Sequence, residues 1–321
     1  MPIAALLIAA GCESIAGLDD FQDAPDGGTA NGTATATGSG SGGAATGSGG
    51  GSAGGTSTGT STGVGGAGGG GVALVDEGVV VRYFLDEAAS GVSPAAALDS
   101  TQVPFDLTNT YGGTTPTAPM TYGEIQGNRG LQWSQANTVG VASSSLTLPN
   151  KIAKTLHGST TATLEVVMQV TAAGSANTLF RNLRAAGLAR LALGLNSAGS
   201  FFVEWNGGQN IGTWTFDLPT SGRAFVHLVI DTALSNGPER IQLFVDGTSL
   251  PMYGSTGQLT QNATFELLGL SDLALALGNW ADGQAHSYQG ALQYVALYSE
   301  AFTMEQIDQN VAALTASDDA P

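Results

Sequence analysis

The stretch ERIQLFVDG, residues 239–247, constrains the fold more than any other part of the chain. Ile241, Leu243 and Val245 alternate with Arg240, Gln242 and Asp246, the period of a strand with one buried face. Phe244 interrupts the polar face, so partial cover is expected there too. Asp246-Gly247 tolerates the positive φ of a tight hairpin turn, and Ser249-Leu250 restarts the chain beyond it. Just upstream, AFVHLVIDT (224–232) sets Val226, Leu228 and Ile230 on one face of a second strand. Ser235-Asn236-Gly237-Pro238 is the turn that joins the two.

Composition divides the chain. It has 321 residues, 48 of them glycine, and a formal charge of −17. From Asp26 to Gly71 it is almost only Gly, Ser, Thr and Ala, and Val64 is the sole larger apolar side chain. Such a stretch cannot bury enough surface to offset the entropy of ordering, so 26–71 reads as a disordered linker. As a flexible coil it would span roughly 35–40 Å. The remaining region, 72–315, suffices for one core of an all-β sandwich, and 316–321 is a short tail. From residue 72 onward there are 21 acidic and 9 basic residues, a net of −12. That balance disfavours nucleic acid as a partner and direct electrostatic docking on anionic lipid.

Residues 1–11 form a short, uncharged, apolar run ending in Ala9-Ala10-Gly11, directly before Cys12. It is too short to span a bilayer and fits an export signal with small residues at the cut. Cys12 is the single cysteine, so it has no disulfide partner within the chain. The pattern resembles a bacterial lipobox, which implies that Cys12 is lipidated and becomes the first mature residue. The alternative is an ordinary free or buried cysteine. Residues 12–25 then read as an acidic tether, with Ile15, Leu18 and Phe21 as the large apolar residues. The expected location is the cell envelope, with a lipid anchor in the outer membrane and the folded head held away from it.

The head opens with VVVRYFLDEAASG (79–91), a strand apolar on both faces. Phe105 to Thr108 and Arg129 to Trp133 follow, with Trp133 read as core. Lys151 to Leu156 fits a short helix. Thr163 to Thr171 alternates cleanly, with Leu164, Val166, Met168 and Val170 inward and Glu165 and Gln169 outward. Further strands are expected at 177–183, 190–195, 201–205, 212–216, 265–268, 273–277 and 288–298. Thr303 and Gln306 form a capping box before a helix whose stripe is Met304, Ile307, Val311 and Leu314.

The order of these segments resembles the laminin-G-like, or concanavalin A-like, jelly-roll family. Ile241-x-Leu243-x-Val245-Asp246-Gly247 matches its central hairpin. Tyr83 through Gly91 resembles its first strand, and the Tyr298-to-Ile307 segment its closing signature. The resemblance implies an all-β sandwich of two antiparallel sheets with a short C-terminal helix, spanning about 79–314.

Catalytic patterns are absent from the sequence. The three histidines, His157, His227 and His286, have no second ligand nearby at metal spacing, and no Gly-x-Ser-x-Gly elbow stands in context. Glycosidases of this fold carry paired carboxylates in a Glu-x-Asp-x-x-Glu pattern, which this chain lacks, so it is read as not an enzyme. The resemblance also implies a calcium ion at the sandwich edge, with Asp86, Glu87 and Asp99 at the matching positions. Where the family has Asp in the last strand, this chain has Gln293.

Tryptophans beside turns mark the candidate binding residues. Trp280 lies in Gly278-Asn279-Trp280-Ala281-Asp282-Gly283, where its ring would stack on a sugar while Asn279 and Asp282 bond hydroxyls. Trp280 folded back over the core edge is the competing reading. Asn206, after Trp205, and Trp214 on the returning strand complete the set, and Trp205 itself reads as core. The expected function is a tethered, non-catalytic module that binds an extracellular glycan. The alternatives are an adhesion or structural module binding a surface protein, and a degenerate glycosidase.

Overall fold

The computed structural model describes residues 72–316, apart from 87, 89–90, 114–117, 126, 146–149, 173–176, 185–188, 207–208, 216–221, 254–258, 268–272 and 281–285. Sixteen strands and two helices are present among them. The strands are β1 (Val79–Phe84), β2 (Ala96–Ala97), β3 (Leu107–Thr110), β4 (Met120–Ile125), β5 (Asn128–Trp133), β6 (Val141–Ser143), β7 (Thr161–Ala172) and β8 (Asn177–Arg184). They continue as β9 (Ala189–Leu195), β10 (Phe201–Trp205), β11 (Gln209–Trp214), β12 (Ala224–Asp231), β13 (Ile241–Val245), β14 (Thr248–Leu250), β15 (Leu273–Leu277) and β16 (Gln289–Tyr298). Helix α1 (Lys151–Leu156) precedes β7, and α2 (Met304–Ala316) closes the chain.

Two antiparallel sheets pack face to face. The first runs β14-β13-β12-β7-β16-β5-β4, with β1 also paired to β16. The second runs β11-β10-β9-β8-β15-β6-β3-β2. β16 changes partners partway: β1 lies along Tyr294–Tyr298 and β5 along Gly290–Leu292. Gly130 permits the second contact, because a Cβ there would stand 2.2 Å from the Leu292 carbonyl oxygen. Leu164, Val166 and Met168 of the first sheet meet Leu191, Leu193 and Leu195 of the second in the main core, with Trp133, Trp205 and Trp214.

Local chemistry sets the joints. Asp246 (φ 50°) and Gly247 (φ 75°) make the tight turn between β13 and β14. Asn150 caps α1, its Oδ1 accepting from Ala153 N at 2.8 Å. The capping box of α2 forms: Thr303 N donates to Gln306 Oε1 at 2.9 Å, and Gln306 N to Thr303 Oγ1 at 3.4 Å.

Three expectations need correction. Glu165 and Gln169 point away from the main core as expected, yet both are buried. A second apolar cluster covers that outer face: Phe225, Phe244, Tyr294, Tyr298, Phe302, Ile307 and Leu314, the last two from α2. The returning strand is Gln209–Trp214 rather than 212–216. Around Phe265 there is only an isolated bridge to His157.

Candidate functional site

The outer face of the second sheet carries a row of polar side chains. Leu191, Leu193 and Leu195 of β9 point into the core, so Arg190 and Ala192 face outward. Arg181 of β8 pairs with Ala192, and Ala192 with Glu204 of β10, which puts Arg181 and Glu204 on that face, two strands apart. Their groups form an ion pair at 3.6 Å, beyond direct hydrogen-bond distance. One pleat along, Arg190 stands 3.7 Å from Glu266. Both arginines are largely buried.

Trp280 walls this row. The Arg181 guanidinium lies over its ring at 4.1 Å from the centroid, and His286 stacks on it at 3.6 Å and 19°. Two planar groups that close to one centroid cannot share a face without overlap, so His286, Trp280 and Arg181 form a three-layer stack. The ring faces are therefore taken, and the expected stacking of Trp280 on a sugar is corrected. Its edge remains: Trp280 Nε1 is buried without a hydrogen-bond partner among the described residues, as are Glu204 Oε2 and Arg190 Nε.

The structure also corrects the roles of three expected ligands. Asn279 is fully buried and acts as a staple. Its Nδ2 donates to Thr138 O and Gly140 O at 2.8 and 3.0 Å. Its Oδ1 accepts from Trp280 N and His286 N, at 2.9 and 3.0 Å, holding both ends of the 280–286 loop. All four of its hydrogen-bonding positions are spent within the protein. Asn206 is a turn residue (φ 37°) whose Nδ2 bonds Thr264 O and whose Oδ1 accepts from Glu266 N. Trp214 is only 1% exposed. It lies folded across Gly212, where a Cβ would meet its ring at 2.5 Å. Of the expected ligands among the described residues, Trp280 is the one whose side chain packs on a charged side chain of the polar row. Asp282 falls outside the described residues, as do Glu87 and Cys12.

Of the expected calcium ligands, Asp99 is already taken by protein donors. Asp99 Oδ1 accepts from Arg82 N and Thr101 N at 3.0 and 3.1 Å. Its Oδ2 accepts from Thr101 Oγ1, Phe105 N and Lys151 Nζ at 2.9, 3.0 and 3.1 Å. Five donors saturate the carboxylate, and the Lys151 ammonium stands where a cation would. Asp86 is buried three residues beyond the Tyr83–Asp99 bridge, and Gln293 is buried where β16 changes partners. Among the described residues no group of three or more His, Cys, Asp or Glu side chains converges on one point. Asp99 as placed does not fit a calcium ligand.

A family model described as the concanavalin A-like lectin/glucanases superfamily matches residues 140–308. The chain belongs to this superfamily. The match runs from just before β6 into α2 and contains Arg181, Arg190, Glu204, Glu266, Trp280 and His286, so the polar row lies within the part that defines the superfamily. Three solved structures are similar at low identity. The Trypanosoma rangeli sialidase in complex with the inhibitor DANA is 13% identical, with a TM-score of 0.50; the match covers 76% of this chain and 34% of the sialidase. This concanavalin A-like chain thus spans about a third of that protein's length. Domain 4 of AbnA, a GH43 extracellular arabinanase from Geobacillus stearothermophilus, in complex with arabinotriose, is 15% identical with a TM-score of 0.45, covering 73% and 98%. The Ruminococcus gnavus IT-sialidase CBM40 bound to α2,6 sialyllactose is 15% identical with a TM-score of 0.40, covering 56% and 95%. Among curated proteins no sequence matches significantly.

Arg181 and Glu204 are the site residues that sequence reading passes over. Neither stands in a motif, and only the β8–β9–β10 register brings them together. The alternation of β10 in FFVEW does place Glu204 opposite Val203 and Trp205, which is the one signal available beforehand.

Proposed function

We propose that the folded head is a non-catalytic carbohydrate-binding module and that it grips sugar hydroxyls on the outer face of the second sheet. The observation that carries this reading is the open spacing of the Arg181–Glu204 pair, beside Trp280, whose Nε1 has no partner among the described residues. A hydroxyl both donates and accepts, so one sugar hydroxyl bridges a carboxylate and a guanidinium that do not reach each other. Trp280 holds the Arg181 guanidinium flat and offers a donor along its edge. Superfamily membership supports a carbohydrate-related role. Binding rather than cleavage is favoured because Glu204 and Glu266 each face an arginine, whereas glycoside hydrolysis needs two carboxylates flanking one bond.

The same proposal places the head on a tether. The apolar start, the lone Cys12 and the Gly/Ser/Thr-rich run behind it support lipid anchoring in the cell envelope, in the outer membrane. Two experiments test these parts separately. The purified full chain on a glycan and polysaccharide panel should bind one sugar class reproducibly; silence from a folded sample overturns the binding reading in favour of a protein partner. Cys12→Ser should move the protein from the membrane fraction to the soluble one, and a variant that stays with the membrane refutes the anchor.

A further inference from the structure

The two sheets do not close completely at one end. A cleft of about 290 Å³ opens there. Leu85 and Leu131 line it from the first-sheet side, Ala97 and Asn109 from the second sheet, and Phe84 adds an aromatic wall. Leu85, Leu131 and Ala97 also belong to the main core, so the cleft is a window onto it. β2 is only two residues long, and just past it the chain crosses to the first sheet, where Asp99 bridges to Tyr83. Leu98 forms the lip and is 66% exposed. None of the described residues lining the cleft is charged.

Two polar side chains interrupt the apolar wall, Ser100, whose Oγ donates to Arg82 O at 3.2 Å, and Asn109. Asn109 is 9% exposed, and its orientation is fixed by its neighbours. Nδ2 donates to Pro94 O at 2.9 Å, and the Asn109 backbone N–H donates to Ala95 O at 2.9 Å. Exchanging the amide oxygen and nitrogen would set Oδ1 against a carbonyl oxygen, so the network determines the assignment. Pro94 O also accepts from Tyr111 OH at 2.7 Å. What remains is Asn109 Oδ1, buried and without a hydrogen-bond partner among the described residues, on a residue that lines the cleft. A buried acceptor in an apolar wall is costly unless something donates to it.

We propose that this cleft binds a small aromatic alcohol, with the ring in the apolar window and the hydroxyl donating to Asn109 Oδ1. Size supports this occupant: an apolar cavity of about 150 Å³ holds benzene, and this one is about twice that volume. Polarity supports it as well. One acceptor answers one donor, whereas a sugar would bring several hydroxyls against walls of Phe, Leu and Ala. The cleft is thus a second site, distinct in chemistry from the Arg181–Glu204 row and independent of the carbohydrate reading.

The test is a titration of the full chain with 1-naphthol and with naphthalene, read from the NMR methyl signals of Leu85, Leu98 and Leu131. 1-Naphthol should shift these signals and bind about tenfold tighter than naphthalene, the worth of one hydrogen bond. Asn109→Leu should bring the two affinities together. Should Asn109→Leu fail to fold, Leu98→Trp, on the exposed lip, closes the window and should weaken both ligands about tenfold or more. Naphthol binding that leaves these methyls unmoved, equal affinity of the two probes for the unmodified chain, or unchanged binding by a folded Leu98→Trp would each overturn the proposal.

Discussion

Oε1 of Glu165 lies 2.9 Å from Nε2 of His227, and neither side chain is exposed to solvent. The two face each other across β7 and β12 under the C-terminal helix. Oε2 of the same carboxylate accepts from Tyr298 OH and Asn310 Nδ2, both at 3.0 Å. Asn310 Oδ1 then accepts from Val75 N at 2.8 Å, and Arg82 Nη2 donates to Val75 O at 2.5 Å. One buried carboxylate thus ties β7, β12, β16 and α2 together, and Asn310 extends the tie to the segment entering the fold.

Glu165→Leu removes an acceptor shared by three buried groups. Breaking a buried, hydrogen-bonded pair in this way costs about 3–5 kcal/mol. Urea unfolding should show that loss, with α2 the first element to lose amide protection. A loss below about 1 kcal/mol would mean that the apolar cluster alone holds the helix.

Alkaline pH should destabilise the head. Burial pushes the phenols of Tyr83, Tyr288, Tyr294 and Tyr298 above their ordinary value of 10.0, with the Asp99 charge adding to Tyr83 and the Glu165 charge to Tyr294 and Tyr298. Above pH 10 the unfolded chain releases these protons first, so the folded state holds more of them and stability falls as pH rises. Below pH 10 the contribution is fully present. Each tyrosine contributes a slope of at most about 1.4 kcal/mol per pH unit. Tyrosinate absorbance and circular dichroism followed together should change in one transition. Phenols that titrate fully while the far-ultraviolet spectrum stays native would contradict this.

Gly278 joins the core to the site loop. It adopts φ +73°, and a Cβ there would stand 1.9 Å from the ring of Trp133. Gly278→Ala combines a strained backbone with overpacking and should cost about 2–4 kcal/mol, with a change in Trp133 fluorescence. An alanine variant as stable as the parent would show that the ring moves freely, against the packing described.

Lys151 already neutralises Asp99, so calcium has little to gain at that edge. Millimolar calcium and EDTA should give the same thermal midpoint. A calcium-dependent rise in Tm would show a cation bound to the folded state and refute this reading.

The sequence made the strands legible wherever apolar residues alternate, and the hairpin after Val245 legible from Asp246-Gly247. It also made both helices legible, α1 as a short helix at Lys151 to Leu156 and α2 from a box at Thr303. Alternation says which residues share a face, not what covers it. Glu165 and Gln169 were read as pointing outward, as they do, yet both are buried, Glu165 beneath α2. The tryptophans failed for a related reason. Trp214 sits beside turns, but Gly212 leaves space for its ring to fold inward. Trp280 is at the site, but its faces are taken by Arg181 and His286, partners 99 and 6 residues away by their numbering. Arg181 and Glu204 carry no motif, because their meeting depends on the register of three strands.

The most direct test of the account is the dissociation constant of the full chain for the sugar class found on the panel, set beside those of Arg181→Gln and Glu204→Gln. Each substitution removes a charged hydrogen-bonding group from the row and should weaken binding about 10–100-fold, with circular dichroism and Tm close to those of the parent. Sugar binding that both folded variants retain at full strength would contradict the claim that this face is the carbohydrate site.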